Sequence, residues 1–214
     1  MIVYGASLSP FVRKVLAFAA EKGIEVELKQ IGLGNKDPEF IEASPFGKMP
    51  GFRDGDFAIS DSSAIVTYLE AIKAEPNLIP LDPRARARTI WYDEYADTIL
   101  FACGAKMFFN RVVAPRFLGQ PGDEVVAAKA ECEELPPLLD YLEKVIPASG
   151  FLVEDRITLA DIAVASPFAN FQHLNVAIDP ARHPKVKAYV ESILSRPSFA
   201  SMVAREAAFL ARAA

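Results

Sequence analysis

The sequence predicts an α/β unit of order β-α-β-α-β-β-α over residues 1–75, a linker at 76–83 and an all-helical unit over 84–214. Three observations carry this. Short apolar or alternating segments with the look of strands lie only before residue 61. Pro76, Pro80 and Pro83 crowd one short stretch and discourage continuous helix. Beyond them the apolar spacing is helical, with no competing strand-like alternation.

Ile2-Val3-Tyr4 is a short apolar run, as expected of a strand covered on both faces. Ser9 and Pro10 follow as N-cap and N1, and Val12, Val15, Leu16 and Ala19 fall at i, i+3, i+4 and i+7, so a helix opens there. Gly23 is its stop. Ile24, Val26 and Leu28 alternate with charged residues and predict a second strand, parallel to the first by crossover handedness. A loop through Gly32, Gly34 and Pro38 leads to a short helix near Glu39 to Ala43. Pro50 to Arg53 and Asp56 to Ser60 then form a hairpin around an Asp54-Gly55 turn, and Ile65, Val66, Leu69 and Ile72 define the closing helix.

Downstream, helices are expected from Arg84 to Arg111, from Asp123, from Leu159 to Gln172 and from Val186 to Ser195. Leu135-Pro136-Pro137 should break or kink its helix, because an interior proline costs about 3 kcal/mol. Thr158-Leu159-Ala160-Asp161 reads as a capping box, with Ile157 and Ile162 as a hydrophobic staple.

With 214 residues, 51% of them hydrophobic, the chain can bury a core without staples. A formal charge of -5 argues against a nucleic-acid surface, which needs many phosphate-facing cations. No apolar stretch approaches the ~20 residues that span a bilayer, and residues 1–4 run straight into a strand rather than a signal peptide, so a cytoplasmic protein is expected. Cys103 and Cys132 form no C-x-x-C pair and no Cys/His cluster exists, so no disulfide scaffold, dithiol centre or metal is expected.

Four short segments carry the chemistry: Ser9-Pro10-Phe11, Lys36, Lys48-Met49-Pro50 and Asp61-Ser62. They offer in turn a hydroxyl for a thiol, cations for a carboxylate, a backbone edge for a peptide and a polar clamp for an amino-acid head. That inventory matches glutathione. A hydroxyl donating to sulfur at a positive helix N-terminus favours the thiolate, and Ser9 is the candidate donor. Ser7 and Tyr4 are rivals, although Tyr4 sits in an apolar strand. Ser62 and the first N-H groups of its helix can hold the γ-glutamyl carboxylate, with Asp61 on the ammonium. Lys36 and Lys48 can bracket the glycyl carboxylate. Leu8, Phe11, Phe101, Met107 and Phe108 are candidates for an apolar pocket, joined by Phe109 and Phe209, although such residues at helical spacing are more often core.

Ser9-Pro10-Phe11-Val12-Arg13-Lys14-Val15, Asn35-Lys36, Gly47-Lys48-Met49-Pro50 and Asp61-Ser62-Ser63-Ala64-Ile65 with Tyr68-Leu69 together resemble serine-type cytosolic glutathione S-transferases, most nearly the tau-like pattern, in a bacterial member. The resemblance extends through Ile157 to Ala163 and Pro184 to Pro197. It implies a thioredoxin-like N-terminal domain, a cis Met49-Pro50 bond that presents Met49 N-H and C=O to the tripeptide, and a reactive serine directly before Pro-Phe. It also implies reduced glutathione as co-substrate with no tightly bound cofactor, a hydrophobic electrophile as second substrate, and a homodimer meeting through the helix near Arg84 to Arg88. Ser44-Pro45, Met49, Asp61 and Glu154 depart from the commoner residues, yet none removes a group the chemistry requires. Conjugation, peroxide reduction and ether cleavage on the same thiolate all stay open, as does a non-enzymatic binding protein of the same fold.

Overall fold

The computed structural model describes residues 1–212; the last two positions of the expected helical unit, 213–214, lie outside the described residues. The chain opens with β1 (Ile2–Gly5), α1 (Pro10–Glu21), β2 (Glu27–Gln30), α2 (Pro38–Ala43), β3 (Gly51–Asp54), β4 (Phe57–Ser60) and α3 (Ser62–Ile72). The strands form one sheet in the order β2-β1-β3-β4, with β1 parallel to β2 and antiparallel to β3. The β-α-β-α-β-β-α order is the expected one. Successive side chains of β1 point to opposite faces: Val3 joins the main core with Phe18 and Phe52, whereas Tyr4 joins Ile31, Phe40 and Ala43 under α2.

Two boundaries differ from expectation by a residue or more. The second strand begins at Glu27, the first residue with a partner on β1, because Ile24 and Val26 serve the core before pairing starts. In the hairpin Asp54 pairs with Phe57, so the loop is Gly55-Asp56, and Gly55 takes the left-handed conformation at φ +60°. Gly23 does end α1: its N-H donates to the Ala20 carbonyl at 3.0 Å and the Ile24 N-H to that of Ala19 at 2.8 Å, the paired bonds of a Schellman motif.

The helical unit comprises α4 (Pro83–Glu94), α5 (Phe101–Phe108), α6 (Ala114–Phe117), α7 (Glu124–Lys129), α8 (Leu135–Val145), α9 (Leu159–His173), α10 (Pro184–Leu194) and α11 (Pro197–Arg212). The helical run from residue 83 to 117 is continuous but widened by π turns at Tyr95–Leu100 and Phe109–Val113. The break expected at Pro136-Pro137 is absent. The helical run is continuous from Glu124 to Val145, and the irregularity takes the form of a π turn at Ala130–Glu134 immediately before the prolines. The final helix, α11, has no counterpart among the expected elements.

α9 is buried on all sides from Leu159 to Phe171 and packs on α1 and α4, which makes it the axis of the molecule. Its start is the expected capping box. Asp161 accepts from the N-H groups of Thr158 at 3.0 Å and Leu152 at 2.8 Å, and burial pushes its carboxyl up to about 6. The linker is tied down by Glu70, which takes Lys22 Nζ at 2.6 Å on one oxygen and the Leu78 and Ile79 N-H groups on the other.

Asp161→Ala leaves two buried N-H groups without an acceptor, so it is expected to lower stability by about 2–4 kcal/mol. Urea unfolding checks this, and a loss below about 1 kcal/mol would remove the capping box from the determinants of α9.

Candidate active site

Three segments meet at the C-terminal end of β1 because Gly5 has no side chain. A Cβ on Gly5 would stand 2.5 Å from Val12 Cγ2 and 3.3 Å from Met49 Cβ. The first turn of α1 and the Met49-Pro50 bond, which is cis as the resemblance implied, therefore close on one corner. Ser9 sits there as N-cap of α1, followed by Pro10 at N1. Its carbonyl accepts the Arg13 N-H at 2.9 Å, but its hydroxyl makes no bond to the helix. The serine thus holds the capping position without spending its side chain on capping, and its O-H remains available at the positive end of α1. Tyr4 is fully buried on the other face, its hydroxyl 3.4 Å from Glu39 Oε2, so it belongs to the core under α2.

Asp61 and Ser62 open α3. Asp61 adopts φ +80°, outside the usual range for a residue with a side chain, and its Oδ1 accepts from Ser63 and Ala64 N-H at 2.9 Å each. Both capping bonds fall on one oxygen, which leaves Oδ2 for an ammonium. Ser62 is buried, with its hydroxyl 3.4 Å from Asp97 Oδ2.

Behind this clamp lies a cluster that sequence reasoning missed. Lys14 of α1 is buried, and its Nζ contacts Asp93 Oδ1 at 2.7 Å, Asp97 Oδ2 at 2.6 Å and Ser63 Oγ at 3.1 Å. Ser63 Oγ donates to Asp93 Oδ2 at 2.6 Å. One ammonium serves two carboxylates in a poorly hydrated place. Burial pushes the Asp97 carboxyl up to about 6; the Lys14 charge works against that and the Asp93 charge adds to it. Asp97 lies in the first π turn, an irregularity often found at functional sites. A signal was present: Asp93 and Asp97 are four apart on one helix face, and Lys14 interrupts an apolar stripe.

Lys36 and Lys48 are exposed, and among the described residues neither ammonium pairs with a carboxylate, whereas nearby Lys29 is held by Asp37 and Glu39. Lys36, Asn35, Pro45, Phe46 and Gly47 line an open groove of about 680 Å³ between the loops flanking α2. Ser44 shapes the second loop, its hydroxyl donating to the Lys48 carbonyl at 2.6 Å and accepting the Lys48 N-H at 3.1 Å. Ser44 thereby folds the segment that leads into Met49-Pro50.

Of the apolar candidates, Phe11 and Phe101 face each other with ring centroids 4.5 Å apart, and Leu8 packs on Phe108, Val112 and Leu210. Phe109 and Phe209 are exposed, the latter stacked on Phe117 at 6.1 Å. Met107 is a correction: it is wholly buried in the main core and lines no wall. Burial also pushes the Cys103 thiol up to about 11, which makes it inert. No helix among the described residues is long and apolar enough to cross a membrane.

Residues 3–77 match the N-terminal domain of glutathione S-transferases, and residues 110–206 match their C-terminal domain. The chain is 31% identical over 209 residues to a glutathione S-transferase of Hyoscyamus muticus, covering 95% of this chain and 97% of that one. Glutathione transferase F7 of Populus trichocarpa superposes with a TM-score of 0.82 at 26% identity, over 94% of this chain and 96% of its own. A glutathione S-transferase-I bound with lactoylglutathione superposes with a TM-score of 0.84 at 25% identity, over 95% and 98%.

The Lys14 cluster generates a pH signature. The folded protein holds the Asp97 proton up to about pH 6, whereas the group's ordinary value is 3.8. The folded state then binds more protons than the unfolded one in between, so stability falls as pH rises through that window, by up to about 3 kcal/mol. Thermal unfolding from pH 4 to 7 should show a steeper fall in the wild type than in Asp97→Asn, which keeps the share contributed by the raised Asp161 carboxyl; parallel curves would contradict it.

Proposed function

This chain belongs to the glutathione S-transferase family, and on that premise we propose that Ser9 donates its hydroxyl to the sulfur of bound glutathione and holds it as the thiolate. The protein is a glutathione transferase that takes reduced glutathione as co-substrate. The single observation behind the Ser9 reading is a hydroxyl that occupies the N-cap of α1 without bonding to the helix, beside the cis Met49-Pro50 peptide. A thiol with an ordinary pKa of about 8.5 is only a few per cent ionised at neutral pH. A drop of about two units, or about 2.7 kcal/mol, makes about three quarters of it thiolate at pH 7.

Met49 presents its backbone to the cysteinyl residue as an added strand would. Ser62 and the first turn of α3 take the γ-glutamyl carboxylate, and Asp61 Oδ2 takes the ammonium. Lys48 and Lys36 face the glycyl carboxylate. The thiolate attacks an electrophilic carbon of an apolar compound; a C–S bond forms and the leaving group departs with its electron pair. Leu8, Phe11, Phe101 and Phe108 hold that compound. In this reading residues 1–75 bind glutathione, 76–83 link, and 84–214 supply the apolar half. The enzyme is serine-type with a tau-like pattern, bacterial and cytoplasmic, and works as a homodimer through the face that carries the exposed Arg84, Arg86 and Arg88.

Ultraviolet thiolate absorbance of the glutathione complex, titrated over pH, tests Ser9. Ser9→Ala should raise the bound thiol pKa by about two units and cut turnover near pH 6.5 by up to about 100-fold. Ser7→Ala and Tyr4→Phe should leave it in place, and an unmoved pKa in Ser9→Ala would transfer the role. For the lysines, calorimetric titration should give about 5–10-fold weaker glutathione binding in Lys48→Ala, a smaller loss in Lys36→Ala and a dependence on salt for both. Unchanged affinity in both would place the glycyl carboxylate elsewhere.

A further inference from the structure

The peptide unit that joins Leu8 to Ser9 is held at both polar ends. Its carbonyl accepts from Asn170 Nδ2 at 2.9 Å, and its N-H donates to the Ala6 carbonyl at 2.9 Å. A peptide is planar, so fixing both ends fixes the Ser9 Cα, and the bond from the Arg13 N-H to the Ser9 carbonyl at 2.9 Å holds the next peptide, so the direction in which the side chain leaves is set as well.

Asn170 projects from α9, and its own amide is oriented. Its Oδ1 accepts from Arg13 Nη1 at 2.7 Å, so the NH2 group is left for Leu8. Arg13 Nη1 also donates to the Ser166 carbonyl at 2.6 Å, while Nε and Nη2 fork onto Glu206 of α11 at 3.3 and 2.6 Å. His173 Nε2 lies 2.9 Å from the same Glu206 oxygen. Arg13, Asn170 and Glu206 are all buried. Burial alone would raise the Glu206 carboxyl, but the His173 bond and the Arg13 charge outweigh it and hold that carboxyl below its ordinary value. The network keeps its charges, and outside the helices it bonds the loop that carries Ser9.

We propose that Asn170 is a positioning residue for the Ser9 hydroxyl, its amide set by the Arg13–Glu206 fork between α1 and α11. The inference rests on Ser9 being the thiol donor. It gives α11 a part in thiol activation: the helix whose Leu210 belongs to the cluster under Leu8 also anchors the fork that aims the serine.

The test uses the full-length enzyme as wild type, Ser9→Ala, Asn170→Asp, Asn170→Ala, and Asn170→Asp combined with Ser9→Ala. Asn170→Asp keeps the shape and the acceptor for Arg13 but replaces the donor to Leu8 with an oxygen. The glutathione Kd should stay within about twofold, while the bound thiol pKa rises by about one unit, a tenfold loss of thiolate below that pKa. Turnover should fall about tenfold at pH 6 and converge on the wild-type value near pH 9, which a loss of folded enzyme would not do. In the Ser9→Ala background the change should add no further shift. If Ser9→Ala raises the thiol pKa and Asn170→Asp does not, or if turnover falls equally at every pH, Asn170 does not position Ser9. Failure of both Asn170 variants to fold would also overturn the proposal, since it makes the residue structural. If Ser9→Ala itself leaves the pKa unmoved, the premise has failed instead.

Discussion

Four charged residues on one short helix and its C-cap fix its place, three of them reaching the helical unit and Lys22 bonding within the first unit, and the site depends on them. Arg13 and Lys14 are adjacent, buried and directed to different partners: Arg13 to Glu206 on α11, Lys14 to Asp93 and Asp97 at the α4 end. About two turns on, Glu21 takes Arg196 at 2.7 Å, and Lys22 takes Glu70 at 2.6 Å. Removing an ion from water costs several kcal/mol, and an unpaired buried charge is not tolerated. Such pairs add little net stability compared with apolar packing. What they supply is uniqueness, because α1 has only one placement in which all four charges are matched. Since the N-terminus of α1 is where Ser9 sits, the same matching places the hydroxyl proposed as the thiol donor.

The corner at Gly5 then needs no further adjustment. With α1 fixed by its charges and β1 by its pairing, the missing Cβ lets Val12 and Met49 approach from two sides. Polar recognition of a peptide needs backbone groups at fixed angles, and the Met49 backbone is fixed from outside by Ser44, which closes the preceding loop on both polar groups of Lys48. Asp61 does the equivalent for α3 by accepting two N-H groups on one oxygen. In each case a local side-chain-to-backbone bond holds the loop, and the atoms that face a ligand remain unused.

Much of this was legible in the sequence, because it depends on local rules. The N-cap and proline at Ser9-Pro10, the Gly23 stop, the capping box at Thr158 and Asp161, and the strand and helix periods of residues 1–72 are patterns that neighbours in the chain decide. The errors have local causes too. Ile24 and Val26 alternate like a strand while serving the core, which starts the predicted β2 too early, and the proline pair at 136 predicts a break or kink because a π turn leaves no sequence period. The Lys14 cluster and the Arg13 network were missed for another reason. Their partners lie 49 to 193 residues away, and charged residues on a helix are ordinarily solvated. Only their position inside the apolar stripe from Val12 to Ala19 betrayed them. Met107 went the other way: at helical spacing an apolar side chain points to a wall or into the core with equal justification, and only packing decides.

The apolar half is built on weaker constraints than the polar half, and this difference has chemical sense. Phe11 touches Phe101, and Leu8 packs against the cluster of Phe108, Val112 and Leu210, so both residues that flank the Ser9-Pro10 step are covered by helices of the second unit. These contacts are dispersive and non-directional; side chains of similar volume replace one another at a cost below about 1.5 kcal/mol. The hydrogen-bonded corner has no such latitude, since a misaligned donor or an orphaned buried N-H costs about 1–3 kcal/mol. Under the proposed function, a wall that tolerates exchange beside a corner that does not lets the second substrate vary while the thiol stays activated. The arrangement works only if the wall can change without moving the corner, and the hydrogen bond from α9 to Leu8 separates the two by fixing the loop backbone independently of the side chains packed over it.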